Sequence, residues 1–189
     1  MKKQKKSQRS LNGKTILLCI TGSIAAYRAC DLLRELRRQG ANVYCLMTEA
    51  ATKFVSPLTF HSLSGNSVYS DPFSTHEDWN VLHTTLADKA DLILIAPATA
   101  DIIARLACGF ASDLVTSAVL ASRAKVLIVP AMNDNMYAHP ITRENIAKLQ
   151  SIGYEFVRPI EGDLVCGRVG MGHIEENDVI LNAALKILR

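Results

Sequence analysis

The sequence lacks several features that would assign a class at once. No apolar run approaches the roughly 20 residues a membrane-spanning helix needs, and the opening stretch "MKKQKKSQRS" contains no apolar segment of the kind a signal peptide carries. Both absences lead to the expectation of a soluble, cytoplasmic protein with no membrane partner. The five cysteines, Cys19, Cys30, Cys45, Cys108 and Cys166, are odd in number and include no C-x-x-C pair. A disulfide framework and a zinc site are therefore not expected. None of the five histidines forms H-E-x-x-H, so no metal site is expected. Neither G-x-G-x-x-G nor G-x-x-x-x-G-K-[ST] is present, which withdraws support from NAD and from nucleoside triphosphates. Internal repeats and linkers are also missing.

What is present is a chain of 189 residues, 49% hydrophobic and 21% charged, long enough for one sizeable core. Five of its 21 basic side chains fall in the first ten residues, so the formal charge of +3 is concentrated there. Residues 1–13 are read as a basic, disordered tail and 14–189 as one domain. No aromatic-basic pattern or recognition motif accompanies the tail, and nucleic acid is not expected as a partner.

Four continuously apolar runs, Lys14 to Thr21, Asn42 to Thr48, Asp91 to Pro97 and Lys125 to Pro130, read as strands buried on both faces. Helical patterns alternate with them: from Ile24 to Gly40, then Glu49 to Phe54, Pro57 to Leu63, Thr99 to Cys108, Asp113 to Ala121, Thr142 to Ser151 and Asn177 to Leu188. This alternation predicts an α/β doubly wound (Rossmann-like, flavodoxin-like) parallel sheet with helices on both faces, and a ligand where strand ends meet helix starts. Cys19, Cys30, Cys45 and Cys108 fall inside these elements and read as small core residues. Cys166 does not.

Three hydroxyl-bearing turns are expected at that ligand-binding edge: Thr21-Gly22-Ser23, Thr48, and Thr99 with Ala100 and Asp101. They suit a phosphorylated cofactor, and each threonine suits equally the role of a helix cap. "PAMNDNMYAHP" (Pro130 to Pro140) follows the fourth strand with more side-chain chemistry than a turn requires, since an asparagine amide both donates and accepts. "LVCGRVGMGH" (Leu164 to His173) places Cys166 at the head of a run with three glycines, a segment built to move.

Taken together, "ITGSIAAYRACDLLRELRRQGANVYCLMTEAATKFVSPLTF", "LHTTLADKADLILIAPATADIIARLACGFASDL", "VPAMNDNMY" and "LVCGRVGMG" resemble the homo-oligomeric flavin-containing cysteine decarboxylases, from about Lys14 onward. Within that family the branch acting on 4'-phosphopantothenoylcysteine in coenzyme A biosynthesis is the most similar. The resemblance implies FMN as cofactor, contacted by Gly22, Ser23, Thr48, Thr99, Ala100 and Asp101. It implies His83 and Cys166 as catalytic residues, and Asn133 and Met136 as substrate-binding residues, with Asn133 on the substrate carboxylate. It further implies a homotrimer or homododecamer.

The implied chemistry is oxidation of the substrate CH2–SH to a thioaldehyde by the flavin, loss of carbon dioxide into that electron sink, and return of the hydride to the enethiol. Cys166 would supply the proton, glycines 167, 170 and 172 allowing the flap to carry it in. Arg168 and His173 depart from the family's usual residues on the flap. Two related activities are less well matched: a peptidyl-cysteine decarboxylase stops at the enethiol and needs no proton-donating cysteine, and a flavin-binding regulatory subunit carries long acidic extensions.

Overall fold

The computed structural model describes residues 10–71, 82–163, 167 and 169–189. Its centre is a six-stranded parallel sheet made of β1 (Thr15–Ile20), β2 (Asn42–Met47), β3 (Val68–Tyr69), β4 (Leu92–Ala98), β5 (Lys125–Pro130) and β6 (Glu155–Phe156), in the order β3-β2-β1-β4-β5-β6. Of the two doubly wound orders, this is the Rossmann one, and the direction of winding reverses between β1 and β4. Helices α1 (Arg28–Arg38), α2 (Glu49–Thr52), α3 (Pro57–Ser64), α4 (Leu82–Lys89), α5 (Ala100–Cys108), α6 (Leu114–Ala121), α7 (Asp134–Ala138), α8 (Pro140–Ser151) and α9 (Asn177–Ile187) complete the domain.

Alternation along the strands divides the core in two. Ile16, Leu18 and Ile20 of β1, with Leu92 and Leu94 of β4, face α1 and α9 through Leu32, Leu33, Leu36, Ile180 and Ala184. Leu17, Cys19, Ile93 and Ile95 face the other way, against Ile102, Ile103 and Leu106 of α5 and Val115 and Ala118 of α6. Both faces being covered is why the strands carry continuous rather than alternating apolar residues. Burial raises the thiol pKa of Cys45 to about 12 and that of Cys19 further still, which fits inert core residues.

The four long strands and seven helical segments expected from the sequence are all present, with shifted ends. The first of those segments begins as a 3-10 turn, Ile24–Tyr27, because the Ser23 side chain caps it by accepting the Ala25 N–H at 3.3 Å. The two-residue strands β3 and β6 and the five-residue α7 are too short to set up a periodic pattern. Cys108 differs from expectation: it is exposed, because it ends α5 beyond the buried stripe of Ile102, Ile103, Leu106 and Ala107. Leu11 is buried under α1, and its N–H donates to Gln39 O at 3.0 Å, so the turn at residues 10–13 packs on the sheet domain. Among the described residues no helix is long and apolar enough to cross a membrane.

The reading of Gly170 and Gly172 as hinges of a flap needs correction. Val169–His173 is a strand, β8, paired antiparallel with β7 (Ile160–Asp163). Gly170 and Gly172 sit inside that strand and serve close approach, not hinging. A Cβ on Gly172 would run into the Met132 carbonyl oxygen, and one on Gly170 would lie 3.0 Å from the Asp134 side chain. The Met132 N–H donates to Gly172 O at 3.0 Å, so the hairpin is fastened to the segment that follows β5. Of the glycines at 167, 170 and 172, only Gly167 has a left-handed φ, +80°. Cys166 lies outside the described residues.

Asp91 ties the starts of β1 and β4 together. Its carboxylate accepts the Thr15 N–H at 2.8 Å and pairs with Lys14 at 3.2 Å, and these partners hold its pKa below the ordinary carboxylate value. A depressed folded-state pKa adds stability that is complete above the unfolded value, near 3.9, and is lost as pH falls through the folded one. Asp91→Ala should therefore cost about 1 kcal/mol at neutral pH, the partial exposure of the carboxylate limiting the effect. Denaturant titrations of wild type and variant should converge below about pH 4. A gap independent of pH would contradict this assignment.

Candidate flavin site

Thr21 closes the sheet at the point where its winding reverses. Its side chain is buried, its Oγ1 donates to Pro97 O at 2.7 Å, and the same oxygen accepts the Thr99 N–H at 3.1 Å. The Thr21 N–H also reaches Pro97 O, at 3.3 Å. The ends of β1 and β4 are thus locked side by side, and the loops leaving them start from a fixed position.

Three helix starts converge there. Ser23 caps the 3-10 turn, Thr48 caps α2 by accepting the Ala51 N–H at 3.2 Å, and Thr99 caps α5 by accepting the Ile102 N–H at 3.3 Å. Both readings of these hydroxyls hold together, since a capping oxygen marks the end of a helix whose remaining N–H groups are oriented toward an anion. The turns pack so closely that a Cβ on Gly22 would lie 2.5 Å from the Ala50 Cβ.

Thr21, Gly22, Thr48, Thr99 and Asp101 line one cavity of about 620 Å³ with Met136 at its margin. That size is within the range of small-molecule and cofactor sites. The structure therefore brings together the cofactor-contacting positions expected from three separate turns. Ser23 and Ala100 flank it in sequence as the cap of the 3-10 turn and the first residue of α5.

Asn133 caps α7, its Oδ1 accepting the Asn135 N–H at 3.0 Å, and Met136 on the same short helix is half exposed at the cavity edge. His83 is the second residue of α4, and its side chain, like Cys166, lies outside the described part.

Sequence reading missed a cluster on the cavity wall. Arg105 pairs with Asp101 at 3.0 Å and with Asp113 at 3.3 Å, and donates to Ser112 Oγ at 3.1 Å. Asp113 in turn forms a reciprocal capping box with Thr116 at the start of α6. The four-residue spacing of Asp101 and Arg105 was a visible signal for the first pair; the bond to Asp113 depends on how α5 and α6 pack. Among the described residues no group of three metal-ligating side chains occurs.

A doubly wound sheet with a hydroxyl-lined, N–H-rich cavity at its reversal point defines a nucleotide-type cofactor protein. Residues 4–189 match the Flavoprotein family, and the chain belongs to it. It is 49% identical over 93% of its length to the coenzyme A biosynthesis bifunctional protein CoaBC of Bacillus subtilis, of which it spans 43%. It is 46% identical to a probable phosphopantothenoylcysteine decarboxylase of Streptococcus mutans, covering 89% of this chain and 95% of that one. Among solved structures, the FMN-dependent cysteine decarboxylase SpaF superposes with a TM-score of 0.82 at 28% identity, covering 93% of this chain and 97% of the other.

A flavin fits what the site offers: the convergence of N-terminal helix ends suits its phosphate, and the close packing at Gly22 keeps those ends together. Gly22→Ala should force the β1 turn away from Ala50, with overpacking of about 1–3 kcal/mol. The expected outcome is a folded protein, by circular dichroism, purified with markedly less bound flavin than wild type. Unchanged flavin content would show that this contact does not shape the cavity.

Proposed function

We propose that the protein is an FMN-dependent decarboxylase that converts 4'-phosphopantothenoylcysteine to 4'-phosphopantetheine and carbon dioxide, in cytoplasmic coenzyme A biosynthesis. The observation that carries this reading is the juxtaposition at one cavity of the three cofactor turns and of Met136 from the P-x-M-N-x-x-M string. The similarity to the Streptococcus mutans protein, over nearly all of that protein's length, supports the substrate. The similarity to SpaF supports FMN as the particular flavin.

Gly22, Ser23, Thr48, Thr99, Ala100 and Asp101 would hold the FMN, and the chemistry it supplies when bound is reversible two-electron transfer. The residues of the chain do the rest. Asn133, whose side chain caps α7, would hold the substrate carboxylate through its amide. Met136 supplies an apolar contact beside it. His83 takes the proton released as the CH2–SH group is oxidised. Cys166 would serve as the acid for the last step, a thiol at the reference value near 8.5 being mostly protonated at neutral pH.

Assembly into trimers or dodecamers belongs to the proposal. The exposed apolar side chains Ile24 in the 3-10 turn, Phe110 in the loop after α5 and Met136 on α7 support burial against further copies. The boundary of the catalytic domain, expected at residue 14, is proposed to lie before Leu11, which is buried against that domain.

The test is to purify the protein, record its visible spectrum, and add 4'-phosphopantothenoylcysteine without oxygen. A yellow protein that forms 4'-phosphopantetheine and carbon dioxide is expected. A yellow protein that acts only on peptides ending in cysteine would replace the substrate. Cys166→Ser is expected to release carbon dioxide while accumulating the enethiol; normal product from that variant would remove Cys166 as the proton donor.

A further inference from the structure

A second cavity, of about 470 Å³, opens on the other side of α7. Met136 borders the flavin cavity and Tyr137 borders this one, so α7 forms the wall between them. The remaining walls come from one face of α8, from the segment that follows β6, and from Met171 on the β7-β8 hairpin. Arg143, Ile146, Ala147 and Gln150 of α8 repeat at the spacing of a single helix face, and all four line the cavity.

Its lining is apolar at Phe156, Val157 and Pro159, amide- or hydroxyl-bearing at Gln150 and Tyr137, and cationic at Arg143 and Arg158. No acidic residue contributes to it. Neither arginine forms an ion pair with a described residue. The flavin cavity is the opposite case: Glu49, Asp101 and Asp113 outnumber Lys53 and Arg105, and Arg105 already serves both aspartates. A second phosphate has little to attract it there.

We propose that this second cavity receives the distal, phosphate-bearing arm of the substrate, with Arg143 and Arg158 on the phosphate. The inference rests on the substrate proposed above. That substrate has its reacting cysteine at one end and a phosphate carrying roughly two negative charges at the other. The segment Met132–Asn133, which would hold the carboxylate, leads directly into α7, and Pro130 at its start lines the second cavity. The same cavity offers apolar walls at Phe156, Val157 and Pro159 to the arm and the guanidinium groups of Arg143 and Arg158 to its phosphate. Arginine is suited to this end because its planar fork donates two hydrogen bonds to a phosphate.

The experiment compares 4'-phosphopantothenoylcysteine with its dephosphorylated form on flavin-loaded wild type, Arg143→Gln and Arg158→Gln. Each variant is expected to raise KM for the phosphorylated substrate about tenfold or more, the loss of a charge-assisted hydrogen bond. kcat, and all constants for the dephosphorylated substrate, should stay within about twofold, and lysine at either position should restore part of the loss. Equal effects on both substrates, or none on either, would overturn the subsite. If wild type decarboxylates neither compound, the proposed function fails. Calorimetry with 4'-phosphopantothenate then decides the subsite separately: binding weakened in the double variant supports it, and equal affinity, or no binding to wild type, overturns it.

Discussion

The hydroxyl of Thr21 is the interaction on which the cavity depends. It is buried, and it both donates to the Pro97 carbonyl and accepts the Thr99 N–H. A threonine with both functions filled has its desolvation cost offset, and its two partners lie at the end of β4 and at the cap of α5, beyond the winding reversal. The end of β1 and the start of α5 are thereby fixed relative to each other. Thr48 is set from the other side, since its N–H donates to Ile20 O. The three helix starts that face the cavity are therefore positioned by backbone pairing, and their capping side chains orient the remaining N–H groups.

The second organising contact is steric. Gly172 brings β8 against the Met132 carbonyl, and Gly170 does the same at Asp134, so β8 packs directly on the segment leading to α7. Residues that would bind substrate thus stand on a short helix held between two cavities, instead of on an independent loop. One consequence is a division of labour by charge. Acidic groups and their satisfied arginine line the flavin cavity, while the other is lined by two arginines that form no ion pair with a described residue.

Much of this was legible in the sequence, for identifiable reasons. The strands Thr15–Ile20 and Leu92–Ala98 are apolar throughout because helices cover both faces, and that pattern survives without any knowledge of the partners. Thr48 and Thr99 announced both a cap and a ligand edge because one geometry serves both ends. What was not legible depends on contacts distant in sequence. Arg105 meets Asp113 only when α5 and α6 pack. Gly170 and Gly172 looked like hinges, since a glycine required for close approach and one required for flexibility are spelled alike. Tyr137 and Arg158 share a cavity only after β6 pairs with β5.

The most direct measurement is flavin affinity in Thr21→Val and Thr21→Ser, by fluorescence titration of the apoprotein. Valine keeps the shape but leaves the part-buried Thr99 N–H without its acceptor, whereas serine keeps the hydroxyl. The account predicts near wild-type affinity for the serine variant and at least about tenfold weaker binding for valine, a loss of about 1.4 kcal/mol. Flavin binding by the valine variant equal to wild type would show that the junction of β1 and β4 does not set the cavity.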